Sequence, residues 1–338
     1  MLLIVLGHII MVHHDANETE YIISHFTRPF SIVAVNVFIL ISGYFGIRFK
    51  TYRLVQLSCQ TWFYSVAIFL LVVALGLHTI NVRVDILAFL PIFSKQYWFI
   101  TAYFVLYCIA PFINHAIENT NHHIFQKGLF VGFLLFYIWP TLCYLVNTNQ
   151  LVLDAGYGIV NFIYLYIFGR YIRLFHTETK TPQFYLTIYV ASSVLLFFFQ
   201  YALSHFLGFE FSSWLSYNTL FVFVAAIALF MFFKNLNFHS HIVNVLAAPC
   251  LAVYLVHLSP YGWKQIIQVL QIEESRGLIY ILMLVSYPII IYAFGFCIER
   301  IRLFLFQWYE KLLCKWIEQF INKHLYKNIE NSLPKKRL

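Results

Sequence analysis

Apolar residues run through this chain in long blocks separated by short polar turns. Blocks free of Lys, Arg, Asp and Glu occupy 1–13, 30–47, 54–77, 97–114, 128–147, 155–169, 184–205, 214–233, 242–260 and 278–298. Most approach the ~20 residues that a helix needs to cross a hydrocarbon core of ~30 Å. The pattern predicts an all-α, polytopic integral membrane protein with about ten transmembrane helices. Two blocks fit less well. Met1 to Val12 offers only about 18 Å of helix. It lacks the basic n-region and small-residue cleavage site of a signal peptide, so the first span is expected to be N-terminally truncated, with its true start upstream of Met1. The sixth block is short and preceded by Asp154 and Gly156, which suggests a half-buried or kinked segment.

Beyond residue 300 the periodicity changes. Phe304, Trp308, Leu312, Trp316 and Phe320 recur every four positions, with Lys311, Lys315 and Glu318 between them. That spacing predicts an amphipathic helix lying on the membrane surface. The chain therefore divides into a membrane domain, 1–300, and a cytoplasmic segment, 301–338. The latter ends in Lys335, Lys336 and Arg337, placed near anionic headgroups.

Composition strengthens this division. Of 338 residues, 61% are hydrophobic and 11% charged, against about 45–50% and about 25% in soluble domains. Little remains for a soluble catalytic domain, so any chemistry must sit among the helices or in their loops. The few charges then give orientation. With a cytoplasmic N-terminus, Arg48, Lys50, Arg53, Glu118, Lys127, Arg170, Arg173, Glu178, Lys180, Lys234 and the basic tail fall inside. Asp15, Glu18, Glu20, Arg28, Arg83, Asp85, Lys95, Asp154 and Glu210 fall outside. The positive excess lies inside, as the positive-inside rule requires, which predicts cytoplasmic N- and C-termini. The net charge of +8 is thereby explained by topology, and no nucleic-acid partner is implied. Cys59, Cys108, Cys143, Cys250, Cys297 and Cys314 are scattered without a C-x-x-C pair. They read as small membrane-core residues, with neither a disulfide framework nor a metal site.

Three places could carry chemistry. His8 and His257 lie inside apolar blocks, where an ionisable group is expensive and so a functional candidate. A hydrogen bond to a neighbouring helix is the structural alternative for each. With no carboxylate in any span, an acid-rich proton relay lacks its partners. The second place is NVFILISGYFGIRFKTYR, Asn36 to Arg53, where Ser42, Gly43 and Tyr44 run into Arg48, Lys50 and Arg53. Gly43 and Gly46 suit close helix packing, and the basic residues suit either membrane anchoring or a phosphate clamp. The third is the pair Tyr97 and Trp98, which alone would be an interfacial aromatic belt.

Taken in order, these segments resemble the acyltransferase 3 family, bacterial multi-spanning enzymes that move acyl groups, commonly acetyl, from acyl-CoA to sugar hydroxyls. The resemblance rests on LIVLGH ending at His8, FILISGY with its following basic turn, and YWFITAYFVLYCIAPFI. GRYIR and VYLVH complete the set. The family carries an arginine further upstream of its first-span histidine than the seven residues before His8 allow. The resemblance implies a bacterial inner-membrane enzyme with acetyl-CoA or another acyl-CoA as donor substrate and no permanently bound cofactor. The acceptor would be a surface polysaccharide or its lipid-linked precursor. His8 would act as general base or as acyl carrier. Arg48, Lys50 and Arg53 would hold the phosphates of CoA. Ser42, Tyr44, Tyr97, Trp98 and His257 are weaker substrate-binding candidates. A transporter or exporter of a glycan or organic acid is the competing reading. A glycan polymerase is a third, but would be expected to carry a large arginine-bearing outer loop.

Overall fold

The computed structural model describes residues 1–13, 17–146, 148, 154–176, 180–208 and 215–323. Asp15, Glu178 and Glu210 of the charge count, and the tail at 335–337, lie outside the described residues. No strand occurs among the described residues. The helices are α1 (Leu2–Val12), α2 (Glu18–Phe45), α3 (Thr51–Ala74), α4 (Val82–Asp85), α5 (Trp98–Glu118), α6 (His122–Phe133) and α7 (Trp139–Leu145). They continue with α8 (Ile159–Phe175), α9 (Pro182–Leu207), α10 (Leu220–Lys234), α11 (His241–Ala247), α12 (Cys250–His257), α13 (Trp263–Leu270) and α14 (Gly277–Ile321).

Six helices are long and apolar enough to cross a membrane: Glu18–Phe45, Thr51–Ala74, Trp98–Glu118, His122–Leu145, Pro182–Phe206 and Gly277–Ile321. The fourth joins α6 to α7 through a π-helical stretch, Leu134–Ile138, ahead of Pro140. The other expected spans also fall on helices, but short ones. α1, α10 and the α11–α12 pair are apolar yet only 10–17 residues long, and α8 carries Arg170 and Arg173 near its end. By length and composition alone, six helices among the described residues qualify, and the expected count of ten is not reached on that criterion.

Charge counting misplaced two helix ends. α2 starts well before its apolar block, because Asn17 caps it by accepting the Glu20 N–H at 2.9 Å. Glu18, Glu20 and Arg28 are therefore helical residues, not loop charges. Glu20 is buried and accepts the Gly277 N–H at 2.8 Å, stitching the start of α2 to the start of α14. At the other end α14 runs unbroken through residue 300 to Ile321, about 67 Å of helix. The stretch 301–320 is helical, with Phe304, Trp308, Trp316 and Phe320 exposed. It is continuous with the last apolar helix, where a separate helix was expected. The expectation of carboxylate-free spans is corrected with it, since buried Glu299 sits in this helix.

A polar network allows α14 to continue. Arg302 Nε donates to Glu299 Oε2 at 2.6 Å, and its Nη1 pairs with Glu310. Tyr64 donates to Glu299 Oε2 at 2.6 Å and Gln60 to Oε1 at 3.2 Å, so α3 closes the network. Breaking a buried pair leaves an uncompensated charge, which costs about 3–5 kcal/mol. Arg302→Met is expected to lower the melting temperature of the solubilised protein accordingly, and Arg302→Lys to lower it less.

α2 is the centre of the bundle, packed against α1, α8, α9 and α10. Its closest neighbour is α8, and glycines set the approach. A Cβ on Gly43 would lie 2.2 Å from the Tyr166 carbonyl oxygen, and one on Gly169 2.5 Å from that of Leu40. α1 is held between α2 and α14, and α12 between α3 and α14. These two short helices carry the histidines.

Candidate active site

His8 lies in the second half of α1, and His257 is the last residue of α12. α12 stops there because Pro260 cannot continue a helix. The packing of α1 and α12 on α14 brings the two rings together, with centroids 5.4 Å apart and planes tilted by 57°. His257 is fully buried, and its Nδ1 lies 2.6 Å from the Val253 carbonyl oxygen. A carbonyl only accepts, so Nδ1 holds the proton and Nε2 keeps a lone pair. That Nε2, and Nδ1 of His8, are both buried without a hydrogen-bond partner. Buried polar atoms are ordinarily satisfied. Two unpartnered nitrogens on neighbouring buried rings make this the candidate site.

His8 faces a cavity of about 140 Å³, lined in part by Phe38, Trp98, Phe99, Tyr217 and Tyr254. Larger cavities of about 710 and 410 Å³ lie along α3 and α14, but no pair of orphaned groups converges there. Tyr97 and Trp98 part company at this site. Tyr97 is fully buried and donates to the Leu255 carbonyl at 3.2 Å, tying α5 to α12. Trp98 turns toward the cavity and meets Tyr157 at 4.7 Å and Tyr217 at 5.7 Å between ring centroids. Tyr157 and Tyr217 are themselves 4.8 Å apart.

The backbone beneath this aromatic cluster is strained. Asp154, Ala155 and Gly156 have consecutive φ values of 42°, 49° and 81°. The left-handed region costs an L-residue about 1 kcal/mol or more, so surrounding contacts must hold it. The Ala155 carbonyl accepts the Tyr217 N–H at 3.0 Å, and the Gly156 carbonyl accepts Asn161 Nδ2 at 2.9 Å. A Cβ on Gly156 would come within 2.7 Å of Tyr217 Cβ. From α2, Asn36 Nδ2 donates to the Tyr217 carbonyl at 2.7 Å.

The basic turn forms a second locus. Gly46, with φ of 74°, ends α2, and the turn that follows is pinned by hydroxyls and amides. The Ile47 N–H donates to Tyr166 Oη at 2.8 Å, and Asn114 Nδ2 donates to the Ile47 carbonyl at 3.0 Å. The Lys50 N–H donates to Tyr107 Oη at 3.1 Å. Arg48 and Lys50 are exposed on this turn and Arg53 on the first turn of α3. Among the described residues none of them pairs with a carboxylate, and Arg53 donates only to Gln56 Oε1, at 3.1 Å. Arg170 lies against the turn, since a Cβ on Gly46 would sit 2.6 Å from its Nη1, and its buried Nε has no partner. Arg173 donates to Tyr44 Oη at 3.1 Å and stacks over that ring.

Tyr44 therefore belongs to the basic locus, away from the histidines. Ser42 donates to the Phe38 carbonyl of its own helix at 3.1 Å. α5 links the two loci. Phe99 lines the histidine cavity and Tyr107 holds the basic turn, eight residues or about 12 Å further along the helix. Arg170 and Arg173 lie in GRYIR, a motif to which the sequence alone assigns no site role. The signal available was their position ending an apolar block.

Tyr261, just beyond His257, anchors the loop before α5 by donating to Asp85 Oδ1 at 3.3 Å. Burial alone would raise the Asp85 pKa. The Asn81 N–H at 2.7 Å and His78 Nε2 at 3.0 Å outweigh it and hold the carboxyl below its ordinary value.

Comparison with known families gives one match: a model described as an acyltransferase domain, of the acyltransferase 3 family, covers residues 1–300. No curated protein and no solved structure matches the chain.

Proposed function

The chain belongs to the acyltransferase 3 family, and we propose that it transfers an acyl group, in the first instance acetyl, from acyl-CoA to a sugar hydroxyl. The acceptor would be a surface polysaccharide or its lipid-linked precursor at a bacterial inner membrane. The observation that carries this reading is the histidine pair, two neighbouring buried rings each with an unpartnered nitrogen, of which His8 lines a small cavity. The four shorter helices are read as further crossings, giving ten, with both termini cytoplasmic. Arg48, Lys50 and Arg53 then face the compartment where acyl-CoA is made, joined by Arg170. These cations would hold the CoA phosphates while the pantetheine arm follows α5 toward His8.

In the direct form of the reaction, the hydroxyl proton passes to a neutral histidine nitrogen and the oxygen attacks the thioester carbonyl. The C–S bond breaks and the departing CoA thiolate takes up a proton. In the relay form, His8 first attacks the thioester, releases CoA and carries the acyl group to the hydroxyl. His257, with Nδ1–H committed to Val253, offers only a lone pair on Nε2. This suits it to accept a proton or to orient the reacting hydroxyl.

If the basic turn binds donor phosphates, Arg48→Ala with Lys50→Ala should raise KM for acyl-CoA about tenfold or more, since each charge-assisted contact is worth about 1.5 kcal/mol. The change in kcat should be small, and the defect should shrink at high salt. Initial rates across acyl-CoA concentrations check this, and an unchanged KM would remove the turn from the donor site.

A transporter or exporter has one observation in its favour, the break at Ala248 and Pro249 between α11 and α12, close to His257. Deleting the gene separates the two readings. Loss of an acyl group from a surface glycan by mass spectrometry, restored by wild type and not by His8→Ala, supports the enzyme. A change confined to uptake or export of a small molecule supports the transporter.

A further inference from the structure

Arg28 sits within α2, about 15 Å along the helix from its first residue. It is half-buried and, among the described residues, forms no ion pair. Its guanidinium is within electrostatic reach of Tyr157 and Tyr217, two of the three rings of the cluster at the cavity end. Asp154 is at the rim beside Tyr157 and does not pair with it. An uncompensated arginine in a spanning helix is costly and calls for a functional reason.

We infer that Trp98, Tyr157 and Tyr217 form the saccharide subsite for the acceptor, and that Arg28 selects a saccharide bearing an anionic group. The inference rests on the acyl-transfer reading and specifies its acceptor. The rings supply flat apolar faces with polar edges, and 38% exposure of Tyr157 leaves the cage accessible. Trp98 and Tyr217 line both the cage and the His8 cavity, so a ring held in the cage has its reacting hydroxyl directed at His8. The cavity itself, at about 140 Å³, is smaller than the ~300 Å³ of a small ligand site. It admits the hydroxyl and the thioester, while the sugar stays outside among the aromatic rings. Two further features suit a ligand site. The run of left-handed residues at 154–156 fixes Tyr157 and Tyr217, and strained backbone of this kind collects at ligand clamps. Asn36 holds the Tyr217 backbone with Nδ2 while its own Oδ1 is buried without a partner. The planar guanidinium of Arg28 fits a carboxylate or a phosphate through paired N–H donors, the chemistry common to an acidic sugar and a sugar phosphate.

The test uses the full chain in nanodiscs, with tryptophan fluorescence titrated by glucose, glucuronic acid and glucose 1-phosphate. Wild type is expected to bind at least one of the two anionic sugars about tenfold more tightly than glucose. Whichever is preferred tells carboxylate from phosphate. Arg28→Gln should bring that preference close to unity and Arg28→Lys should keep part of it, while Tyr157→Ala should weaken all three sugars alike. If Arg28→Gln does not fold, ionic strength serves in its place: salt should weaken the anionic sugars and leave glucose unchanged. Equal binding of all three by wild type, or an anion preference retained in Arg28→Gln, overturns the inference. Acyl-CoA consumption in the same preparations separates it from the parent reading. Turnover without anion preference removes the Arg28 role alone, whereas Arg28-dependent anion binding without turnover keeps the subsite and removes the acyltransfer.

Discussion

His8→Ala is expected to lower acyl transfer by about 10²–10⁴-fold, the range that a positioned acid–base group supplies, while the protein accumulates normally. The ring does not hold α1 in place. Val5 and Ile9, both fully buried, do so, and His8 Nδ1 makes no hydrogen bond whose loss would unfold the helix. The measurement is acyl-CoA consumption together with mass spectrometry of the acylated glycan, with immunoblotting to compare amounts. His257→Ala should also be severe. If the two rings act as one unit, the double variant should be scarcely worse than His8→Ala alone, because residues in a single catalytic unit are strongly non-additive. Full activity in His8→Ala would move the chemistry elsewhere.

The second large effect is structural. Gly43→Leu or Gly169→Val is expected to leave no folded protein in the membrane. In each case the added Cβ meets backbone of the facing helix, 2.2 Å from Tyr166 O or 2.5 Å from Leu40 O. Backbone cannot rotate away as a side chain can, so α2 and α8 would have to separate, undoing the α2 packing on which α1 also rests. Overpacking commonly costs about 1–3 kcal/mol where side chains yield, and here the cost should be larger. Size-exclusion profiles in detergent check it: the variants should aggregate or disappear. Gly128→Ala is the control, since a Cβ there meets nothing within 4 Å, and it should behave as wild type.

Several elements were legible from pattern alone. Each apolar block falls on helix, although 242–260 breaks into α11 and α12, and Gly43 sits at a close helix approach. The misjudged ends, at Glu20 in α2 and at Glu299 with Arg302 in α14, share one cause. A count of charges treats every ionised residue as the end of a span, but a helix continues when its charges find partners. Asn17 and the Gly277 N–H provide for Glu20, and Tyr64, Gln60 and Arg302 provide for Glu299. Three of those partners, Gly277, Tyr64 and Gln60, lie more than two hundred positions away, beyond any local pattern.

The candidate site divides in the same way. His8 and His257 stood out because a histidine inside an apolar block is conspicuous, but their contact depends on α14 gathering α1 and α12. Tyr157 and Tyr217 had no such signal. The chain has 24 tyrosines, and which of them converge on Trp98 is decided by the strained turn at 154–156 and by Asn36. Arg170 is intermediate: its place was visible, and its contact with the Gly46 turn was not.

The shortness of the helices bearing the histidines has a mechanical consequence. α1 and α12 extend only about 16 Å and about 12 Å, in a bundle where α2, α3, α5, α9 and α14 reach about twice that length or more. On the proposed reaction, donor and acceptor would approach from opposite faces, and neither molecule would have to pass through the bilayer. The acyl group alone would change sides, at the histidine pair. The protein would thus move a chemical group across a membrane without ever opening a passage through it.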